Sequence, residues 1–458
     1  MKFRHFFLLI ALGSLCFLSL SREIKWDWST LNIFDIWFPS NFLWGCSDSA
    51  LQTEGIITVD GKTIENSWTH CEKLLNSEVT VGHACQRWDR YKEDHKLLQD
   101  IGMNAYRFSV EWSKIEPSEG CFDEQAMQHY VDAVDDLLAR GIEPMITLFH
   151  HTCPLWFYQK GTFENQENIT YFVRFARYVF SHLHNKIKFW IIFNEPVAYA
   201  FEGYFRGVYP PFKKSLALAG RVVLNQLNAH VEVAKEFRKI NPSAQIGIAH
   251  MCHPLDAYSK WDIFAKAITK TFSHLINQTT INFFKKGKFR WLPPWVSAKN
   301  KDAKKALDFF GVNYYTHTTV KHIRPFKMEA RTRPNEIIID ESESSERTKV
   351  MYPEGLYRYI VRASELNIPI YITENGVASE NPAIKDEYIK KHLYVVSRAI
   401  REGYNIKGYF YWTLMDCFSW NKGYSNKHGI FEVDFETQER TLRSSVSYLL
   451  ETVQRFRG

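Results

Sequence analysis

The chain has 458 residues, 57 Lys+Arg against 51 Asp+Glu for a net charge of +6, and 45% hydrophobic residues. These values exclude a disordered chain and a minimal disulfide scaffold; at about 100–200 residues per ordinary domain the length suggests two or three domains, although single α/β barrels often exceed that range. The densest basic stretch, Lys285-Lys286-Gly287-Lys288 and then Lys299 to Lys305, is interrupted by Trp291-Leu292-Pro293-Pro294-Trp295 and carries no nucleic-acid motif, so nucleic acid is not an expected partner.

Along the chain, Lys2 and Arg4 precede an apolar run from Phe6 to Leu20, with small residues at Ser19 and Ser21 and then Arg22. This pattern predicts an export signal over residues 1–21 and hence a secreted or periplasmic protein, with an uncleaved membrane anchor as the alternative. Beyond Cys16 there are seven cysteines, at 46, 71, 85, 121, 153, 252 and 417. They have no CxxC or Cys/His metal spacing, and the odd number requires at least one free thiol; buried thiols packing as small apolar residues are expected. No linker or repeat divides residues 22–458, which read as one domain.

Short apolar, β-branched or aromatic runs predict eight strands: Phe42 to Gly45, Ala105 to Val110, Pro144 to Phe149, Phe189 to Phe193, Ile246 to Ala249, Phe309 to Tyr315, Ile368 to Thr373 and Ile406 to Leu414. Helical segments lie between them, the clearest with Met127, Tyr130, Val131, Val134 and Leu138 on one face and Gly141 as its stop. The alternation predicts a closed (β/α)₈ TIM barrel, an α/β fold, rather than an open nucleotide-binding sheet, because GxGxxG is absent. The stretch from about Arg324 to Lys349, with its acidic run at 340–346, reads as a solvated loop.

Such a barrel does its chemistry at the carboxyl ends of the strands. The fourth predicted strand ends Asn194-Glu195-Pro196 and the seventh ends Thr373-Glu374-Asn375-Gly376. A carboxylate there costs desolvation unless it is paired, and two facing carboxylates push their pKa values apart, leaving one as an acid and the other ionised. Glycosidic cleavage needs that division of labour. A helix-capping role is the plainer reading of either glutamate alone; two such strand ends in one barrel favour catalysis.

These residues resemble glycoside hydrolase family 1, the β-glycosidases, from about Phe38 to Ser445. The resemblance is carried by Phe42-Leu43-Trp44-Gly45-Cys46-Ser47 through Gln52-Thr53-Glu54-Gly55, by Tyr106-Arg107-Phe108-Ser109, by Asn313-Tyr314-Tyr315-Thr316, by Tyr352-Pro353-Glu354-Gly355-Leu356 and by the two glutamate motifs. It implies a retaining double displacement with Glu374 as nucleophile and Glu195 as acid/base, on β-glucoside-like or β-galactoside-like carbohydrates. It also implies Arg107, Asn313 and Tyr315 as supports of the nucleophile, and Gln52, His150, Asn194, Trp412, Ser419 and Trp420 as positions that meet the sugar. No phosphate loop, HExxH motif or EF-hand spacing occurs, so neither a cofactor nor a metal is expected; the sequence sets no oligomeric state.

Two departures stand out. His151-Thr152 replaces the usual Trp-Asp after His150, and Ser419 replaces a glutamate that grips two sugar hydroxyls. Serine at that position is similar to the 6-phospho-β-glycosidase branch, but the accompanying Lys and Tyr positions hold Asn426 and His428, with Lys427 between them. A 6-phospho-β-glycosidase is therefore the second enzymatic expectation, and a carbohydrate-binding, receptor-like barrel with little turnover is the expectation of another class.

Overall fold

A computed structural model describes residues 23–457, except 60–61, 75–78, 293–295, 325–326, 341–348 and 421. The predicted export segment lies outside the described residues. Eight strands form a closed barrel: β1 (Leu43–Ser47), β2 (Ala105–Ser109), β3 (Glu143–Phe149), β4 (Phe189–Asn194), β5 (Gln245–Met251), β6 (Phe309–Asn313), β7 (Ile370–Asn375) and β8 (Ile406–Trp412). Each pairs in parallel with its neighbours in sequence, and β1 closes the ring by pairing with both β8 and β2. All eight predicted runs are barrel strands.

Alternation along each strand sends one set of side chains inward, where Ala105, Met145, Phe189, Ile191, Ala249, Phe309, Tyr371 and Phe410 form a separate packed cluster. The rings at Phe309 and Phe410 fit because glycine faces them: a Cβ at Gly247 would lie 2.3 Å from the Phe309 ring, and one at Gly45 would lie 2.6 Å from the Phe410 ring. The outward set packs beneath the helices in a larger core that includes Trp44, Tyr106, Phe108, Ile146, Trp190 and Phe193.

The helix Glu124–Ala139 starts where Asp123 accepts hydrogen bonds from the amides of Gln125 and Ala126, and Gly141 follows its end with φ +71°. It buries Met127, Tyr130, Val134 and Leu137, whereas Leu138 is 40% exposed. The buried face thus turns toward Ala126, Ala133 and Leu137, and the predicted Leu138 sits at its edge.

The predicted 324–349 loop is corrected in part. It contains the strands Lys327–Ala330, Ile338–Asp340 and Lys349–Val350. Ile339 is buried there against a small cluster with Met351, Val377 and Tyr388, which gives the segment an apolar anchor that its acidic composition concealed.

Candidate active site

Three strand pairings break register at the carboxyl end of the barrel: β4 with β5 between Ile191 and Asn194, β6 with β7 between Val312 and Asn313, and β7 with β8 between Ile372 and Asn375. Such irregularities re-aim side chains at a strand's end. They bring Asn194, Glu195, Asn313 and Glu374 together. Glu195 itself has φ +43°, a left-handed conformation that is strained for a residue with a Cβ; its amide donates to Ala249 O at 2.8 Å, and Pro196 starts the next helix.

Both carboxylate oxygens of Glu374 are engaged. Arg107 Nη1 donates to Oε1 at 2.6 Å and Tyr315 Oη donates to Oε2 at 2.5 Å. Arg107 lies fully inside the barrel because it is two residues beyond Ala105 on the inward face of β2. Its other nitrogens donate to Thr147 Oγ1 at 3.2 Å and Asn194 Oδ1 at 2.7 Å. Asn313 Nδ2 donates to Asn194 Oδ1 at 3.0 Å and to Glu195 Oε1 at 2.9 Å, while its own Oδ1 accepts from Thr373 Oγ1 at 2.7 Å. A chain of hydrogen bonds therefore runs from Glu374 through Arg107, Asn194 and Asn313 to Glu195.

The two glutamates differ in electrostatics as well as in partners. Burial, and then the negative charge of Glu374, push the Glu195 carboxyl up to about 8; the Asn313 hydrogen bond and the Arg107 charge only partly oppose this. Near neutrality Glu195 is thus pushed toward the carboxylic acid form, beside a Glu374 whose two oxygens an arginine and a phenol hold in place.

Around this pair stands an aromatic wall. The His150 ring lies 5.9 Å from Trp412 and 6.5 Å from Trp420, and Trp420 packs 4.7 Å from Trp68. Asn194 Nδ2 donates to His150 Nε2 at 2.9 Å, so the proton of neutral His150 belongs on Nδ1, which is buried without a protein partner. Burial holds His150 well below its usual range and pushes His151 down to about 4. His151, in place of the expected Trp-Asp, packs 5.7 Å from Trp420 and 6.3 Å from Tyr209, so an imidazole lines this wall.

Gln52 is in place but already engaged. Its Nε2 donates to Phe418 O and its Oε1 accepts from Ser49 Oγ, both at 2.5 Å, leaving one amide hydrogen uncommitted. Beneath it Glu54 is buried with Arg87, with Lys114 Nζ at 2.9 Å and with the Tyr130 hydroxyl at 2.9 Å, which fixes the turn that carries Gln52.

Ser419 is half-buried and opens a tight turn closed by its own N–H to Gly423 O at 2.7 Å and the Gly423 N–H to Ser419 O at 2.8 Å. Lys427 does not reach toward a sugar. Its ammonium is 3.9 Å from Asp416 and lies over the Phe435 ring. His428, 6.1 Å from the Tyr315 ring, is kept neutral by burial and by the charges of Lys349 and Lys385.

Direct hydrogen bonds thus join Glu374, Arg107, Tyr315, Asn194, Asn313, Glu195 and His150, with Trp412 and Trp420 beside His150; Gln52 is tied to Phe418, Ser419 is held by the backbone bonds of its turn, and Lys427 is turned to Asp416. Sequence reasoning missed Thr147 and Thr373. Thr147 lies two residues past the inward-facing Met145 on the strand beside Arg107, and that alternation was the available signal. Thr373 precedes Glu374, and only the break in register turns its hydroxyl toward Asn313.

A closed (β/α)₈ barrel with two buried glutamates at strand ends, one held by an arginine and a phenol and the other pushed up in pKa, beside an aromatic wall, defines the class of the glycoside hydrolases. The sequence matches Glycosyl hydrolase family 1 over residues 34–457. It is similar to β-glucosidase A of Thermotoga maritima, 31% identical over 89% of this chain and 96% of that protein, and to a 6-phospho-β-galactosidase of Clostridium acetobutylicum, 30% identical over 89% of this chain and 95% of the other. Among solved structures, a β-glycosidase from Pyrococcus horikoshii superposes with a TM-score of 0.81 at 33% identity, covering 92% of this chain and 95% of that one. The β-glucosidase of T. maritima in complex with deoxynojirimycin superposes with a TM-score of 0.81 at 29% identity, over 92% of this chain and all of the other. The chain belongs to glycosyl hydrolase family 1 and is a β-glycosidase.

Proposed function

We propose that the protein hydrolyses β-glucoside-like or β-galactoside-like substrates with retention of configuration. Glu374 attacks the anomeric carbon while Glu195 gives its proton to the departing oxygen, forming a glycosyl-enzyme ester. Once Glu374 is esterified its charge is gone, and with it the second cause of the raised Glu195 pKa. Glu195, now more acidic, serves as the base that takes a proton from water as the water attacks the same carbon and releases Glu374. Retention requires the carboxyl groups to lie only about 5–5.5 Å apart. The observation that carries this reading is that Arg107 and Tyr315 engage both oxygens of Glu374 while Glu195 is pushed up to about 8.

Within the same reading Gln52, His150, Asn194, Trp412, Ser419 and Trp420 meet the glycone, Arg107, Asn313 and Tyr315 position the nucleophile, residues 1–21 export the chain or anchor it, and residues 22–458 form its one catalytic domain. The 6-phosphate reading loses support at Lys427, whose ammonium is turned to Asp416.

Substitution separates the two roles. Glu374→Gly should lose essentially all hydrolysis, and azide should restore turnover with an inverted glycosyl azide as product. Glu195→Ala should react with an activated aryl glycoside, stall as the glycosyl-enzyme, and release a retained β-glycosyl azide when azide is added. Unchanged activity in Glu374→Gly, or normal hydrolysis of an unactivated disaccharide by Glu195→Ala, would sink the assignment.

A further inference from the structure

Apolar side chains scattered singly over a surface are ordinary, but several large ones together need a partner. After β5 the chain runs through residues 258–262 into the helix Ile263–Ser273, and there Trp261 is 80% exposed, Ile263 69% and Phe264 59%. Trp261 is the most exposed large apolar side chain among the described residues.

These tips are held in place. Tyr258 N–H donates to Val320 O at 2.8 Å, Asp262 accepts from Ala265 N–H and His322 N–H at 2.9 Å each, and the Phe264 ring lies 5.1 Å from His322. They are joined to the strand Thr318–Arg324, on which Ile323 is 39% exposed. Around them stand Lys260, Lys266, Lys270 and Lys321. Lys260 lies over Trp261 and Lys321 over Tyr258, and none of the four pairs with a carboxylate among the described residues. The loop's own acid, Asp262, is spent on the two amides.

Glu23, the first described residue, meets the same place. Arg333 pairs with Glu23 and donates to Ala257 O at 2.7 Å and Tyr258 O at 3.2 Å, so residue 23 is fastened at the root of the loop. The sequence before it contains the apolar run from Phe6 to Leu20.

We propose that this face, built on Trp261, Ile263 and Phe264 with its ring of lysines, docks on a negatively charged lipid bilayer. A tryptophan with neighbouring aliphatic and aromatic tips suits the headgroup boundary, and unpaired lysines suit anionic lipid. A single weak lipid signal gives only reversible binding, and here apolar tips and unpaired lysines supply two kinds of attraction on one face. Both segments of the face follow the carboxyl ends of barrel strands, β5 and β6, so docking turns the active-site end of the barrel toward the membrane.

The test uses the full chain with phosphatidylcholine vesicles, with and without phosphatidylserine, at low and high salt. Anionic vesicles should slow amide hydrogen exchange at 258–266 and 320–323. Trp261→Ser/Phe264→Ser should weaken vesicle binding by about tenfold or more, in line with the apolar area withdrawn from lipid, while leaving thermal stability and hydrolysis of a soluble aryl glycoside unchanged. Lys260→Glu/Lys266→Glu should weaken binding and flatten its salt dependence. Protection confined to residues 1–22, or equal binding by the double variants, overturns the proposal. So do cross-links from 258–266 to residues 1–22 without lipid, or a self-association that Trp261→Ser/Phe264→Ser abolishes, since each gives the face to another occupant.

Discussion

At Glu195, burial acts first and the charge of Glu374 second to push the carboxyl to about 8. Because the proposed first step needs the protonated acid, kcat/KM should fall on the alkaline side with an apparent pKa near 8. Removing the neighbouring charge in Glu374→Gln should move the Glu195 titration, followed by ¹³C NMR of the carboxyl, downward. Folding feels the same group. Its folded pKa is raised above the ordinary value of 4.5, so its favourable contribution is complete below about 4.5 and is lost as pH rises through about 8. Glu195→Gln, neutral at every pH, should therefore gain more in thermal midpoint over the wild type at pH 9 than at pH 5. An alkaline limb that already falls within the ordinary carboxyl range, or an equal gain at both pH values, would show that Glu195 is not the raised group.

At the scale of an element, the turn from Ser419 to Gly423 tests the glycone grip without disturbing its own scaffold. Its closing bonds are backbone to backbone, and Gly423 takes φ +55° where a Cβ would meet Val79 Cγ1 at 2.4 Å, so the turn's shape does not depend on the Ser419 side chain. Restoring a carboxylate there in Ser419→Glu should raise kcat/KM for an unsubstituted aryl glucoside or galactoside by roughly tenfold if one hydrogen bond to the sugar is regained, and lower it for 6-substituted analogues. A fall for the plain substrates, or no change for either class, would make Ser419 a packing substitution. The strands were legible because each carries its own apolar run, and both glutamates were legible because they directly follow such runs. The register breaks that aim them were not, since a bulge depends on the neighbouring strand's pairing and leaves no local pattern. For the same reason the sequence did not show that Asp416 and Phe435, brought beside Lys427 only by the fold, take up its ammonium.

At the scale of the whole molecule, the barrel is stabilised by packing rather than by covalent cross-links. All seven cysteines among the described residues are free thiols; six are buried and Cys121 is exposed. Burial raises the pKa of Cys46, Cys85, Cys252 and Cys417 well above the ordinary value, which suppresses the thiolate that oxidation and alkylation require. Cys85 and Cys417 are near enough to feel each other's charge, as are Cys71 and Cys153, so an oxidising compartment puts the thiol state to a direct trial. Among the described residues, the native protein should react rapidly with a thiol reagent at one site, Cys121, and a reducing agent should leave the thermal midpoint unchanged. Unfolded without reductant and alkylated, the chain should take up seven labels if residues 1–21 have been removed and eight if Cys16 is retained. The mass of the labelled chain thus reports on the leader as well as the core. Two labels fewer than either value, recovered on reduction together with a lowered thermal midpoint, would show that a disulfide had formed and that the barrel leans on a covalent cross-link.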